Sequence, residues 1–374
     1  MSVRIFSLSL LSLSLMMVGN ASAIVMSGTY ILPDEPWDDF AYHNVLQVGG
    51  TSGVYIGNGW VLTAGHVTPA NINVQGTTYY YDGANSYRLK NPTGYEGVDS
   101  IYTDLRLFRL TEKPDLPEVQ LADHSPSLGS MVYYVGYGKQ RTSDILYWNK
   151  QGDQWVPSST STYYWGYTTD YLTGMSWGTN FTRSDGSGPS QDTNIITAGN
   201  YDMIALKTVF NSSDGVAQAV GGDSGSAMFY EDPVDGWVLA GIVSSITTYE
   251  NAPTQAFVNS ATYSVDLSFY LDEMDRIMFP IPGDANRDGI VDGSDATILA
   301  EHWQQSTSLG STVGDFNEDG IVDGSDATLL AAHWQEGEGD ASTADFMVPE
   351  PSVWIMLLGM FLFAISRFWK SSNY

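Results

Sequence analysis

Cysteine is absent from all 374 residues. No disulfide and no thiolate metal site can form, so packing and any bound cation must hold the fold; the absence alone identifies no compartment. Positive charge is scarce as well. Lys and Arg number 15 against 43 Asp and Glu, a formal net charge of −28. A surface of that sign repels nucleic-acid phosphates, which excludes nucleic acid as a partner. The same excess favours bound cations, because clustered carboxylates repel one another until a metal neutralises them. Apolar residues make up an ordinary 43%, and 38 glycines suit a turn-rich β protein. The length allows one sizeable domain and a smaller one.

Apolar runs stand at the two ends. Arg4 precedes the run Ile5 to Val18, and Ala21-Ser22-Ala23 follows with the small residues a signal peptidase needs. Residues 1–23 read as a secretory signal cleaved after Ala23. The alternative, an uncleaved membrane helix, meets a run that is short for a span of about 20 residues.

Residues 24–279 read as one β-rich domain. Val54-Tyr55-Ile56 and Trp60-Val61-Leu62-Thr63 flank Gly57-Asn58-Gly59, a hairpin signal. Met131 to Val135 and Trp237 to Val243 read as further strands. Many short strands with turn signals point to a sandwich or barrel. Gln140 to Asn194, rich in Tyr, Ser, Thr and Gly, shows no strand pattern and reads as long surface loops. Val265, Phe269, Leu271, Met274 and Ile277 have an approximate helical spacing over 265–278, which Pro280 and Pro282 end.

Three segments carry chemistry: Leu62-Thr63-Ala64-Gly65-His66, Thr103-Asp104-Leu105-Arg106-Leu107 and Gly221-Gly222-Asp223-Ser224-Gly225-Ser226. A serine hydroxyl is a poor nucleophile at neutral pH. It needs an imidazole to take its proton and a buried carboxylate to fix that imidazole's tautomer. The oxyanion that develops on a substrate needs preorganised donors, and glycine lets the chain turn tightly enough to aim backbone N–H groups. Asp99 is the neighbouring alternative for the carboxylate; Leu105, Leu107 and Leu110 after Asp104 favour Asp104.

These segments resemble the Thr-Ala-Ala-His, Asp-Ile-Ala-Leu and Gly-Asp-Ser-Gly motifs of the trypsin/chymotrypsin family, over about residues 24–278. Val135-Gly136-Tyr137-Gly138 and Gly241-Ile242-Val243-Ser244 are lesser echoes, while Arg106 departs from the family's usual small residue. The resemblance implies two six-stranded antiparallel β-barrels and a serine endopeptidase acting through an acyl-enzyme on protein or peptide substrates. It implies His66 as base, Asp104 as its orienter and Ser224 as nucleophile. The oxyanion hole would be the N–H groups of Gly222 and Ser224. No catalytic cofactor is implied. Cleavage after Ala23 would free Ile24, whose ammonium would pair with Asp223, as activation in the family requires; Met26 and Ser27 depart from the family's glycines, and chance is the alternative. The specificity pocket maps to Gln218, Ser244 and Ile246, with Ser245 between the last two. Gln218 is uncharged, so a carboxylate floor for Lys or Arg is not supported, and small or medium uncharged side chains are expected unless the loops over 140–218 void the mapping.

Residues 280–336 hold a repeat: Gly283 to Trp303 recurs as Gly314 to Trp334. Each copy reads Asp-x-Asn-x-Asp-Gly-x-x-Asp-x-x-Asp, a run of hard oxygens suited to calcium. The first loop offers Asp284, Asn286, Asp288, the Ile290 carbonyl, Asp292 and Asp295. The second offers Asp315, Asn317, Asp319, the Ile321 carbonyl, Asp323 and Asp326. An apolar helix follows each. The pair resembles the dockerin module, which implies about two Ca2+ ions and a cohesin-like partner; a purely stabilising appendage is the alternative.

After an acidic linker at 337–348, Val348-Pro349-Glu350-Pro351 precedes the apolar run Val353 to Ile365, closed by Arg367 and Lys370. Residues 349–374, a C-terminal hydrophobic helix, resemble the PEP-CTERM sorting signal. That implies an exosortase-type processing enzyme, a membrane contact, and export through the inner membrane of a Gram-negative bacterium to the envelope or beyond. A plain membrane anchor is the alternative. Against the protease stands a second class of function, a non-catalytic protease-like surface scaffold or adhesion protein acting through the dockerin-like module.

Overall fold

The computed structural model describes residues 24–27, 41–141, 144–159, 163–211, 216–254, 256–278, 281–286, 288–307, 310–317 and 319–336. The signal, linker and tail expected at 1–23, 337–348 and 349–374 lie outside the described residues. Among the described residues no helix is long and apolar enough to cross a membrane. The chain divides into two units, Met1–Pro280 and Ile281–Tyr374.

Unit one begins its first sheet with the expected hairpin. Thr51–Gly57 and Trp60–Ala64 pair with Val54 opposite Leu62 and Tyr55 opposite Val61. Asn58 and Gly59 turn the chain with φ of 48° and 84°. A turn left-handed at both central residues matches the twist of its strands, and Asn-Gly adopts it at low cost. The sheet runs Val45–Val48, Thr51–Gly57, Trp60–Ala64, Tyr102–Leu110, Tyr81–Lys90, all antiparallel. The six-stranded barrel expected here is thus a five-stranded sheet, with no pairing among the described residues that closes it. Its outer strand explains why. Tyr81–Lys90 carries two register shifts and buries Leu89 alone. It presents no alternating apolar face over which a sheet could fold.

The other strands do close. Ser176–Arg183, Met131–Gly136, Ala227–Asp232, Gly236–Thr247, Ala261–Asp266 and Tyr201–Val209 pair in that order, and Thr182 and Arg183 return to Thr208 and Lys207. The result is a closed six-stranded antiparallel barrel. Asn194–Ala198 hangs from Tyr201–Val209 as a hairpin partner. One apolar cluster joins Val54, Leu62, Leu105 and Leu107 of the sheet to Val135, Phe229 and Ile242 of the barrel. Emptying one such position, Leu105 to alanine, costs about 2–5 kcal/mol. This shared core seats the sheet against the barrel.

Two expectations change. Gln140–Asn194 holds strands beside the long loop at 184–193: Leu146–Gln151, Gln154–Ser158 and Tyr164–Tyr167 form a small sheet completed by Ala256–Phe257. Its buried faces are Trp and Tyr set among Ser, Thr and Gly, so an aliphatic alternation is missing although the residues favour strands. The helix expected over 265–278 is shorter. Val265 lies in the Ala261–Asp266 strand, and the α-helix spans Leu271–Met278 with Met274 and Ile277 buried.

Unit two is the repeat. The helices Gly293–Glu301 and Gly324–Ala332 are capped by Asp292 and Asp323, each in a reciprocal box with Asp295 or Asp326. Val291, Leu299, Val322 and Leu330 form its core. The copies interlock. Gln304 and Gln305, after the first helix, bond Val322 of the second loop; Gln335 and Glu336, after the second helix, bond Val291 of the first. Each loop is therefore braced by the other copy.

Candidate active site

His66 follows the Trp60–Ala64 strand, and Asp104 lies near the start of the neighbouring Tyr102–Leu110 strand. Pairing of Ala64 with Leu105 brings them together. The His66 backbone N–H donates to Asp104 Oδ1 at 2.9 Å, and Nδ1 lies 2.8 Å from Oδ2. Asp104 is 2% exposed and His66 45%. A ring nitrogen facing a carboxylate carries the proton, so Nε2 of the neutral ring is an acceptor. Nε2 lies 2.8 Å from Ser224 Oγ, 158 residues away in the chain. The Asp104 hydrogen bond, with its charge, holds the His66 pKa above the usual imidazole value, and partial burial opposes it. Asp99 makes no such bond; its backbone N–H donates to Asp202.

Ser224 sits in a loop pinned from three sides. Ser52 N–H donates to Ser224 O at 3.0 Å, Gly225 N–H to Val243 O at 2.8 Å, and Ser226 N–H to Asp223 O at 2.9 Å. Gly225 has φ 85°, and a Cβ there would stand 1.9 Å from the Ser52 carbonyl oxygen. Any side chain would force the loop off Ser52. Gly222 also has positive φ, 101°. Neither the Gly222 nor the Ser224 N–H donates to an acceptor among the described residues. Both remain available to an incoming oxygen.

Two residues at the site carry roles that sequence reasoning did not assign. The Ser244 hydroxyl donates to Asp104 Oδ2. Ser244 is expected at the specificity pocket, and its side chain also supports the carboxylate. Arg106 reaches across from its strand: Nε and Nη2 donate to the Gly65 carbonyl at 3.3 and 3.1 Å, and Nη1 to Ser86 Oγ at 2.9 Å. It braces the turn that ends in His66. The signal was the departure from a small residue at 106. Arg106→Ala should lower kcat about tenfold, a barrier rise of about 1.4 kcal/mol, with KM little changed. Steady-state kinetics on a peptide substrate check this; an unchanged kcat would remove Arg106 from the positioning of His66.

The remaining expected residues fall as follows. Ile24 is buried, and its N–H donates to Ser176 Oγ. Asp223 is buried in its own bonding: Oδ2 accepts from Val220 N–H at 2.7 Å, and the Gly138 backbone N–H approaches the same carboxyl. The two are not joined in this chain, in which Ile24 follows Ala23 in peptide linkage. Burial pushes the Asp223 carboxyl well above the usual range, against its backbone donors. Gln218 is buried, pairs through its backbone with Val25, and leaves both side-chain amide atoms without a partner among the described residues. Ile246 is half-buried against a cluster that includes Met26, Tyr134 and Val243.

In unit two the expected ligands line two equivalent loops. Asp284 and Asp315 accept from the backbone N–H groups of Asp288 and Gly289, and of Asp319 and Gly320. Asn286 and Asn317 accept from Asp288 and Asp319. Asp288 and Asp319 accept from the N–H groups of Ile290 and Ile321. Asp295 and Asp326 are fully buried and, among the described residues, bond only backbone N–H groups. Asp292 and Asp323 cap the helices. Among the described residues no three acidic or histidine side chains converge closely enough to hold a cation. The donor chemistry still fits calcium: residues 281–336 contain eleven acidic residues and one basic residue, Arg287. The buried Asp315 and Asp326 bond backbone N–H groups and form no ion pair among the described residues.

No curated protein matches the chain. Among solved structures, it is similar to an inactive form of Rv3671c from M. tuberculosis H37Rv (10% identity, TM-score 0.40, covering 69% of this chain and 99% of that one). It is also similar to neuropsin, a serine protease of mouse brain (19%, 0.38, 64% and 96%), and to a mutant of human heparin binding protein (13%, 0.38, 64% and 92%). The trypsin family model matches residues 36–162, which include His66 and Asp104 but stop short of Ser224. The dockerin type I domain model matches residues 282–334, both copies of the repeat.

Proposed function

We propose that this chain is an exported serine endopeptidase carrying a calcium-binding dockerin-like module. One observation carries the reading: the unbroken line from Asp104 through His66 to Ser224, with 2.8 Å at each side-chain step. Ser224 Oγ attacks the peptide carbonyl carbon as its proton passes to His66 Nε2. The oxyanion takes hydrogen bonds from the Gly222 and Ser224 N–H groups. Nε2 then gives the proton to the leaving amine, the C–N bond breaks, and an ester on Ser224 remains. Water, deprotonated by the same nitrogen, hydrolyses it.

A peptide has a natural place to lie. The Gly236–Thr247 strand parts from Ala227–Asp232 after Ile242, and from Ser245 to Thr247 it pairs with Ala261–Asp266 on one edge only. Among the described residues no strand pairs with the other edge, which would take a substrate strand. Gln218 offers a buried amide with unused hydrogen bonds, and its neutrality supports uncharged side chains before the scissile bond. Freed by cleavage after Ala23, the Ile24 ammonium would supply Asp223 with the cation it lacks, and N-terminal sequencing of the active form tests that step. Calcium would be held by the twelve residues of the two loops, about two ions, bracing unit two. The module's partner would be cohesin-like. Residues 1–23 would direct export, and an exosortase-type enzyme would process the tail near Pro349.

The test is cleavage of a peptide library together with a burst of alcohol release from an activated ester, which reports the acyl-enzyme. A folded, correctly processed protein that cleaves nothing and shows no burst would refute the reading. The pH profile is a second check. Protonated His66 cannot accept the Ser224 proton, so kcat/KM should rise with pH. Because Asp104 raises the His66 pKa, the midpoint should lie above about 6.5. A midpoint below 6 would contradict the His66–Asp104 coupling.

A further inference from the structure

The chain that leaves the free edge of Ser245–Thr247 runs at once into an aromatic knot. Tyr249 stands two residues past the strand end. Its ring, with those of Phe257, Trp155 and Tyr164, forms a set in which every ring meets the other three, at centroid distances from 5.1 to 6.4 Å. Two rings come from the segment between the Gly236–Thr247 and Ala261–Asp266 strands. The other two come from the small sheet at 146–167. Trp155 makes one more bond, its indole N–H donating to the Glu250 carbonyl at 3.1 Å. The backbones also join. Gly166 pairs with Phe257 and Tyr167 with Ala256, and Val258 N–H donates to Trp165 O at 2.9 Å. The approach is too close for a side chain: a Cβ on Gly166 would lie 2.2 Å from the Ala256 oxygen.

The rest of the unit does not require this arrangement. The barrel closes through strands other than these, and Gly236–Thr247 and Ala261–Asp266 are already paired with each other. What the small sheet adds is a fixed position for Tyr249, Glu250 and Ala256 to Val258, where the unpaired edge ends. Edge-to-face rings resist sliding past one another, so the segment is held in place and not merely covered. Trp155, Tyr164 and Tyr249 remain half-buried, and Glu250 is exposed.

We infer that the 146–167 sheet is a specificity element and that Trp155 is its positioning residue. By holding Tyr249 and Glu250 it sets how the part of a peptide beyond the residues nearest the scissile bond is bound. Trp155 does not touch the reacting atoms, and short substrates do not sense it. The inference rests on the endopeptidase reading above, deepening it to a preference for extended peptide substrates.

The experiment compares two nitroanilides, three and six residues long ahead of the scissile bond, carrying the sequence the wild-type protein selects from a library. Trp155→Ala should raise KM for the longer substrate about tenfold, with kcat within about twofold, and leave the shorter substrate unaffected. Trp155→Phe keeps a ring and loses the N–H donor, so it should raise KM for the longer substrate about threefold. The phenylalanine variant decides the matter if the alanine variant does not fold. Equal changes for both substrates, or none, in a protein that still takes up a fluorophosphonate at the wild-type rate would overturn this inference alone. Absence of fluorophosphonate uptake by the wild-type protein would overturn the endopeptidase reading and this inference with it.

Discussion

Replacing Ser224 or His66 with alanine should lower kcat by about a million-fold, and replacing both should cost little more. The two are expected to act as one unit: Ser224 Oγ and His66 Nε2 lie 2.8 Å apart, and among the described residues neither atom has another hydrogen-bond partner. Removing either atom removes the proton transfer, leaving the catalysis of the oxyanion donors and of substrate binding. Asp104→Asn should cost about ten-thousand-fold, because an amide can hold the imidazole in the wrong tautomer. The three changes should separate in stability. His66 is 45% exposed, and Asp104 keeps its donors at the His66 backbone and Ser244 when the ring is lost, so His66→Ala should cost about 1 kcal/mol. Asp104 is buried and accepts from the His66 backbone, the His66 ring and Ser244. Its loss strands buried donors at about 1–3 kcal/mol each. Kinetics and thermal melts on one set of purified variants read both effects. A His66→Ala protein that keeps more than a hundredth of the wild-type kcat would break the assignment.

Calcium removal is the second large effect expected, confined to unit two. With sites near 10 μM in 1 mM calcium, each ion would stabilise the unit by about 2.7 kcal/mol. A module this small has little reserve, since its described core is Val291, Leu299, Val322 and Leu330 with the rings and side chains packed around them. The interlock makes the loss shared. Val291 depends on the end of the second copy and Val322 on the end of the first, so disorder in one loop frees a brace of the other. In the full-length protein, chelator should therefore speed proteolytic cleavage within 281–336 and leave cleavage of residues 41–278 unchanged. Adding calcium back should restore protection. Asp315→Ala should abolish one ion of binding by titration and lower the other's affinity. Identical digestion with and without calcium would mean that the loops stand on their backbone hydrogen bonds alone.

The parts of this architecture visible in the sequence are those with narrow chemical tolerance. The Ser224 loop must carry glycine at 225, where no Cβ fits against Ser52, so the motif could be read without coordinates. The repeat was visible because each loop needs oxygen ligands and a cap at set intervals. Asn58-Gly59 announced its turn for the same kind of reason. Other features depend on partners far away in the chain. Ser244 lies 140 residues from Asp104, and nothing local says which way its hydroxyl points. Arg106 was visible only as an unusual residue, and its meaning is the Gly65 carbonyl across the strand pair. The sheet at 146–167 was hidden for a compositional reason: its rings pack with Phe257 and Tyr249, so its strands bury aromatic faces without aliphatic alternation. The missing barrel closure reflects Tyr81–Lys90, a strand by pairing that lacks an apolar face.

Fluorophosphonate labelling followed by peptide mapping tests the central claim most directly, because the probe reports nucleophile, base and oxyanion donors in a single covalent event. The phosphorus should be found on Ser224 of the wild-type protein, and labelling should disappear in His66→Ala while the variant's melting temperature is retained. Stoichiometric labelling at a different serine, or equal labelling of Ser224 in the absence of His66, would contradict it.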